Sequence, residues 1–288
     1  MADVCITEFT DPGCPWAYSA EPRRRRLSWL YGDRLEWRAC MVGLAETPDH
    51  YASRGITTES MAAGLRRIAR DHGMPIDTRP RERLHATLPA CRVVVAARIH
   101  APERMRALLR RLRVRHFSGE LLDEPGTIAA AARDAGIEPA ELERWSASAE
   151  VEEALRDDMR RAREPMPAAR VLDHRLANWS GGRRYTCPSY EIVRLSDRVR
   201  ISVPGFQPFA VYDTITANLV PGLDRRPPPD SVEETLRWTG TPLATMEVAE
   251  LCGIGLADAR ERLGLVATER HVGADGFWHL EDEPIPYE

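Results

Sequence analysis

The pattern of hydrophobic and polar positions near the N-terminus predicts a strand, a helix and a second strand. Val4 to Thr10 is rich in β-branched and aromatic residues and runs into a Pro-Gly turn, which is typical of a strand end. A helix is predicted from Cys14 to about Tyr31, with Pro15 in its first turn and a kink at Pro22. Leu35 to Val42 alternates well enough for the second strand. The segment is therefore a βαβ unit in which Cys14 lies at the strand-to-helix turn.

The rest of the chain divides by the same criteria. Residues 60–164 show successive helical patterns, strand patterns return at 188–193 and 198–203, and a closing helix is predicted over 208–220. Residues 221–230 are rich in proline and polar side chains, which is typical of a linker. Beyond the linker the patterns predict two helices and a β-hairpin, an order that resembles a winged-helix module.

Composition and charge exclude several classes of protein. No apolar run approaches the roughly 18 residues that span a bilayer, and the N-terminus lacks the basic-then-apolar pattern of a secretory signal, so we expect a cytoplasmic protein without membrane contact. All 40 basic residues are arginine, which excludes Schiff-base chemistry on a lysine. Residues 231–288 hold 4 arginines against 12 acidic residues. A nucleic-acid reader should be basic where it meets phosphate, so no nucleic-acid partner is expected.

The cysteines direct attention to one position. No CxxC pair and no zinc-ligand spacing occurs, so we predict neither a disulfide framework nor a metal site. A thiol at a helix N-terminus faces unpaired backbone N–H groups that favour the thiolate, which is the nucleophilic form. Cys14 is therefore the candidate reactive thiol, and core positions are predicted for most of the others. The six cysteines are Cys5, Cys14, Cys40, Cys91, Cys187 and Cys252.

Three motifs resemble one family. The stretch from Asp11 to Tyr18 (DPGCPWAY) resembles the active-site turn of DsbA-like and FrnE-like oxidoreductases, residues 116–142 resemble their helical insertion, and Thr186 to Tyr190 (TCPSY) is similar to their cis-proline loop. The resemblance covers about residues 4–220. It implies a thioredoxin fold with an inserted helical domain and a cis bond before Pro188, facing Cys14. It also implies that the site includes Pro15, Trp16 and Cys187.

The chain departs from this family at Ala17, where the second cysteine of the usual Cys-Pro-Trp-Cys turn is missing. Without that cysteine, Cys14 cannot resolve a mixed disulfide in the usual way. Cys14 could act as a monothiol with glutathione, mycothiol or a related thiol, or use Cys187 as an unconventional resolving partner. The turn also resembles kappa-class glutathione transferases and 2-hydroxychromene-2-carboxylate isomerases. A further alternative, from another class, is a non-catalytic interaction protein that has lost the dithiol.

Several residues around the turn are candidates for substrate binding. Trp16 and Tyr18 would line an apolar pocket or pack in the core, and Thr186 belongs to the loop opposite. Arg23 begins a run of four arginines that covers the helix circumference, so at least one must lie on the buried side and needs a carboxylate partner. Together with Arg184, the run would form a positive rim for an anionic thiol.

The predicted fold is α/β: a thioredoxin fold with an inserted all-helical subdomain and a small C-terminal winged-helix-like module. The predicted thioredoxin-like domain comprises residues 1–59 and 180–220, the helical insertion 60–179, the linker 221–230 and the C-terminal module 231–288. The predicted function is DsbA-like thiol oxidoreductase chemistry at Cys14 on a small thiol or a protein thiol. No tightly bound cofactor is expected. A homodimer is a further prediction.

Overall fold

The structure, a computed structural model, describes residues 2–280. Its main sheet has four strands; along the described part of the chain, one smaller sheet lies between the second and third of these strands and another follows the fourth. The strands in chain order are Val4–Thr10 (β1), Leu35–Met41 (β2), Leu176–Trp179 (β3), Gly182–Tyr185 (β4), Ser189–Arg194 (β5), Arg200–Val203 (β6), Leu243–Ala244 (β7), Thr268–Val272 (β8) and Asp275–His279 (β9).

The helices were predicted in outline, although the short ones were missed. They are Pro15–Ser19 (α1), Glu21–Tyr31 (α2), Asp49–Ala52 (α3), Thr58–His72 (α4), Leu88–His100 (α5), Pro102–Phe117 (α6), Pro125–Asp134 (α7), Pro139–Ser146 (α8), Ala149–Arg163 (α9), Pro167–Arg170 (α10), Phe209–Leu219 (α11), Val232–Thr239 (α12), Thr245–Cys252 (α13) and Leu256–Leu263 (α14). Short helices such as α3, α8 and α10 carry too few turns for a clear 3.6-residue pattern.

The main sheet has the order β2-β1-β5-β6, with β1 parallel to β2 and antiparallel to β5. Every residue of β1 is buried, and its one charged side chain, Glu8, is paired with Arg106 and Arg113. Helices α2 and α11 contribute Leu27 and Tyr212 to the core on the sheet. The predicted thioredoxin-like α/β fold is therefore present.

Between β2 and β5 the chain forms a helical region with its own core, in which α5, α6, α7, α8 and α9 pack through residues such as Val95, Leu112 and Leu155. Close to its end, β3 and β4 form a hairpin that spans residue 180. Sequence reasoning missed this hairpin, although the Ser180-Gly181 pair between two short strands is a recognised turn signal. The exact domain boundaries stay a prediction.

The C-terminal module comprises α12, α13 and α14 with the antiparallel sheet β7-β9-β8. It contains one helix and one strand more than predicted, namely α12 and β7. Its helix α13 packs against α2 of the thioredoxin-like part. Between them, the carboxylate of Glu247 accepts hydrogen bonds from Arg25 at 2.7 Å and Arg110 at 2.6 Å, and all three residues are buried. The last part of the predicted module, 281–288, lies outside the described residues.

The predicted helix from Cys14 to Tyr31 is divided in two. Helix α1 ends at Ser19 and α2 begins at Glu21, with Ala20 between them. Pro22 has no N–H to donate to the carbonyl group of Tyr18, and its ring displaces the preceding turn. The predicted kink is therefore a break. Its consequence is that Cys14 caps a helix of only five residues, so nearby amides rather than a long helix dipole must stabilise its charge.

Candidate active site

The turn between β1 and α1 is held in place by the buried side chain of Asp11. The carboxylate of Asp11 accepts hydrogen bonds from the backbone N–H groups of Gly13 and Leu44, each at 2.8 Å, and from the hydroxyl of Thr87 at 2.9 Å. Gly13 has no room for a side chain, since a Cβ atom there would lie 2.6 Å from Cγ2 of Thr87. These contacts fix the backbone that presents Cys14.

Cys14 is the N-cap residue of α1 and is only 4 % exposed. Burial acts to raise the pKa of its thiol. The neighbouring thiol of Cys187 and the backbone N–H groups of Ala17 and Trp16 favour the thiolate, and the net effect is to lower the pKa of Cys14. The protonated thiol donates instead to the carbonyl oxygen of Cys187 at 3.3 Å.

The loop opposite Cys14 is the segment from Thr186 to Ser189. The peptide bond between Cys187 and Pro188 is cis, the geometry that the family resemblance implies at this position. The hydroxyl of Thr186 donates to the carbonyl oxygen of Arg175 at 3.0 Å and lies 3.3 Å from the hydroxyl of Ser189. The fold therefore brings Cys14, Cys187 and Pro188 together from positions more than 170 residues apart in sequence.

Cys187 is a poorer nucleophile than Cys14. Its side chain is buried, and burial together with the neighbouring thiolate of Cys14 raises the pKa of Cys187 well above its usual range. Both cysteines are free thiols. Of the two thiols, Cys14 is therefore the one that ionises first as the pH rises.

Sequence reasoning singled out neither Asp11 nor the neighbouring Tyr51. Asp11 is fully buried, burial raises the pKa of its carboxyl group, and its charge opposes ionisation of Cys14. Burial also raises the pKa of Tyr51, with smaller contributions from the charges of Asp11, Cys14 and Cys187. The position of Asp11 directly after a buried strand and three residues before Cys14 was the available signal.

Trp16 lies at the surface beside the turn and is 38 % exposed. Its ring packs edge-on against His72 and Phe206, with centroid separations of 5.0 and 5.5 Å. The guanidinium group of Arg23 lies 4.0 Å above the ring of Phe206, and burial lowers the pKa of Arg23. Trp16 and Arg23 therefore share one surface next to Cys14.

Tyr18 is a core residue, which corrects its assignment as a substrate-binding residue. It is fully buried, its hydroxyl donates to the carbonyl oxygen of Pro75 at 3.0 Å, and its ring stacks on Phe117. The two α1 residues differ because Trp16 and Tyr18 lie about 200° apart around the helix, so one faces solvent and the other faces the interior.

Arg184 is half-buried and lies on the Cys187 side of the site, where its charge favours ionisation of Cys187. It donates to the carbonyl oxygen of Tyr185 at 2.8 Å. The neighbours of Arg23 are instead Phe206 and His72. The predicted positive rim thus consists of two arginines with different surroundings rather than one continuous patch.

A cavity of about 270 Å³ lies beside the active-site turn, with Gly13 and Pro15 in its wall. Two histidines also line it, His85 and His116, both of which are buried. The centroids of their rings lie 4.6 Å apart, where the loop before α5 meets the end of α6.

Residues 2–280 contain no cluster of three or more histidine, cysteine or acidic side chains able to hold a metal ion. None of their helices combines the length and the apolar character needed to cross a bilayer.

Comparison with known proteins agrees with this geometry. The chain is 24 % identical over 265 residues to the ClpXP adapter protein SpxH of Halalkalibacterium halodurans, covering 90 % of this chain and 81 % of that protein. The cytosolic disulfide reductase DsbM of Pseudomonas aeruginosa has a similar fold, with a TM-score of 0.54, 17 % identity, and coverage of 75 % of this chain and all of that one. Its structure with GSH gives a TM-score of 0.52 at 18 % identity, with 74 % and 98 % covered.

A family model described as the DSBA-like thioredoxin domain matches residues 5–166, more than half of the chain. The match begins in β1, includes the Cys14 turn and runs through the helical region. The protein therefore belongs to the DsbA-like thioredoxin-domain family.

Proposed function

We propose that this protein carries out thiol–disulfide exchange with Cys14 as its single nucleophile and with a low-molecular-weight thiol such as glutathione as co-substrate. The observation that carries the proposal is the position of Cys14 at the start of α1, with its thiol 3.3 Å from the carbonyl oxygen of Cys187 in the cis-proline loop. Amides of Trp16 and Ala17 and the thiol of Cys187 lower the pKa of Cys14 even though it is buried. A larger thiolate fraction at neutral pH makes the residue a better attacking group.

The exchange proceeds in three balanced steps. The thiolate of Cys14 attacks a disulfide R–S–S–R′, forming a Cys14–S–S–R mixed disulfide and releasing R′–S⁻. A thiolate of the small thiol, G–S⁻, then attacks the Cys14 sulfur, which releases R–S⁻ and leaves Cys14–S–S–G. A second G–S⁻ attacks the outer sulfur of this adduct, regenerating the Cys14 thiolate and forming G–S–S–G, so two small-thiol molecules supply the two electrons that reduce the substrate.

The surroundings of Cys14 support a small thiol as co-substrate. Ala17 leaves the turn without a second thiol, so an external thiol must release the substrate. Arg23 and Arg184 would attract its carboxylates, and the backbone of Thr186 would pair with a bound peptide as an added strand. The similar DsbM structure contains GSH. A reducing cytoplasm is the compartment that suits such a reaction.

The test is the rate of iodoacetamide alkylation of Cys14 as a function of pH, followed by peptide mass spectrometry. We expect the rate to rise with a midpoint below the value of about 8.5 of an ordinary cysteine. The Cys14→Ser variant identifies the signal, and buried Cys91, which burial protects and whose pKa is raised, provides an internal comparison. A midpoint at or above 8.5 would contradict the proposal.

A second candidate mechanism uses Cys187 as the resolving thiol. The observation that favours it is the proximity of the two residues, since the Cys14 thiol donates to the Cys187 carbonyl oxygen at 3.3 Å and each thiol shifts the pKa of the other. In that mechanism the thiolate of Cys187 attacks the Cys14–S–S–R bond, forming a Cys14–Cys187 disulfide and releasing R–S⁻. Mass spectrometry after reaction with oxidised glutathione distinguishes the routes: the monothiol route leaves a glutathione adduct on Cys14, and the Cys187 route leaves an internal disulfide.

A rival from another class is a non-catalytic adapter. It is favoured by Ala17 and by the curated relative, which is described as an adapter protein. A thiol-dependent transferase or isomerase remains the other enzymatic alternative. An adapter needs no reactive thiol, so Cys14→Ser would leave partner binding intact, whereas both enzymatic alternatives lose turnover in that variant.

A further inference from the structure

The cavity beside the active-site turn is positioned to receive part of a substrate. It lies between the turn, the inner face of α4 and the loop before α5, and Gly13 and Pro15 in its wall flank Cys14 on both sides. Tyr51 lines the same cavity and interacts electrostatically with the thiols of Cys14 and Cys187. A molecule held in the cavity would therefore lie next to the reactive sulfur.

The wall of the cavity is predominantly apolar and contains no acidic residue. Leu44, Ile56, Met61 and Ile68 contribute most of the apolar character. Gly64 of α4 also lines it, and a Cβ atom built on Gly64 would meet no atom within 4 Å. At about 270 Å³ the cavity is near the lower end of the range for small-molecule sites, which fits a compact ligand and not a folded partner.

Two buried polar atoms in this wall have no hydrogen-bond partner. They are Nδ1 of His85, a residue that is only 2 % exposed, and Nε of Arg81, whose side chain is 8 % exposed. Buried polar atoms are usually paired, and leaving one unpaired costs about 1–3 kcal/mol. A ligand group that accepts hydrogen bonds would satisfy the Arg81 N–H and, in the appropriate tautomer, His85.

The charges favour an anionic group. The carboxylate of Asp77 forms ion pairs with both Arg79 and Arg81. These three side chains together therefore carry a net positive charge. Burial lowers the pKa of His85 to about 4, so its ring is neutral at pH 7 and neither repels nor attracts charge. The nearby carboxylate of Asp123 is already bound by Arg83.

We propose that this cavity binds the apolar body of the substrate, with a carboxylate contacting Arg81 and His85 and a sulfur directed at Cys14. The assignment of the sulfur rests on the proposed function. The substrate class is then a small disulfide of an apolar carboxylic acid, R–S–S–R′, in which the cavity selects R and the small thiol acts as reductant. A purely hydrophilic peptide would leave the apolar wall unfilled.

Binding is tested in the Cys14→Ser background with 2-naphthoate, a fluorescent apolar acid, and with the neutral amide 2-naphthamide. Because this background cannot exchange disulfides, the result is independent of whether Cys14 is reactive. We expect saturable binding, with naphthoate about tenfold tighter than naphthamide, since one charge-assisted hydrogen bond contributes at least that factor. Arg81→Gln should remove this preference.

Filling the cavity provides the decisive variant. Gly64→Leu places a side chain in open space on a helix and should weaken the binding of both ligands at least about tenfold. Gly126→Leu, at an exposed position of α7 that is equally free of contacts, is the matched control and should bind like the parent. Thermal unfolding confirms that each variant is folded. Absent binding, or unchanged binding in Gly64→Leu, overturns the cavity proposal, and equal affinity for acid and amide overturns its carboxylate part.

Discussion

The Sγ atom of Cys14 lies 3.3 Å from the carbonyl oxygen of Cys187, and the thiols of the same two residues are within hydrogen-bonding reach of each other. The neutral thiol of Cys14 therefore donates to a backbone acceptor, whereas its thiolate accepts from the Cys187 thiol and from the amides of α1. Ionisation exchanges one set of partners for the other. This exchange of partners explains how a buried cysteine retains a lowered pKa.

Cys187→Ala should raise the pKa of Cys14, because it removes a hydrogen bond to the thiolate. A hydrogen bond to a charged group contributes about 1.5–3 kcal/mol, so the midpoint of the alkylation profile should rise by about one pH unit. Cys40→Ala, in β2 and also buried, is the control and should leave the midpoint unchanged. An unchanged midpoint in Cys187→Ala would show that the α1 amides suffice.

Asp11→Asn should lower the pKa of Cys14 while destabilising the protein. The negative charge of Asp11 opposes the thiolate, so its loss shifts the alkylation midpoint to lower pH. The NH₂ group of asparagine would also point at an N–H or O–H group that donates to the carboxylate of Asp11. The lost hydrogen bond should lower the free energy of unfolding by about 1–3 kcal/mol. Asp123→Asn, at a carboxylate that accepts from Ala86 and Arg83, should destabilise the fold without moving the midpoint.

Ala17→Cys should give the protein dithiol activity. Ala17 lies in the first turn of α1, three residues after Cys14, so a thiol on this residue would lie in the same turn. Resolution of the mixed disulfide then becomes intramolecular, and the rate of insulin reduction should rise at least about tenfold. Ala17→Ser has a similar size and no thiol and should show no gain. Equal rates in the two variants would indicate that the Cys187 loop prevents the disulfide from forming.

Glu247→Gln should destabilise the docking of the C-terminal module far more than Glu250→Gln. Glu247 is fully buried between Arg25 and Arg110, and loss of one partner from a buried ion pair costs about 3–5 kcal/mol. Glu250 lies on the same helix but pairs with Arg26 in a partly exposed position, where the cost is about 0–1 kcal/mol. Urea unfolding of both variants measures the difference, and similar losses would contradict the assigned role of Glu247.

The thioredoxin-like part was predictable because its signals are local. The apolar run of β1, the turn at Gly13 and the effect of Pro22 on the helix each depend on a few neighbouring residues. The turn residues between β3 and β4 indicate a hairpin that was not predicted. Helix α12 of the C-terminal module was not predicted either. The sequence was equally compatible with Tyr18 lining a pocket and with Tyr18 packing in the core. Its stacking on Phe117 shows that it packs in the core.

The amino-acid sequence by itself determined that a thiol stands at a helix start, that its usual partner is replaced by Ala17, and that one arginine of the run 23–26 must be buried. The first and third follow from local spacing and helix geometry, and the second from the resemblance of the turn to the DsbA-like family. Only the tertiary structure decided that Glu247 neutralises Arg25, that the Cys14 thiol donates to the carbonyl oxygen of Cys187, and that His85 and Arg81 line a cavity beside the turn. These contacts join distant segments, and hydrogen bonding and desolvation at each depend on which groups the fold brings together.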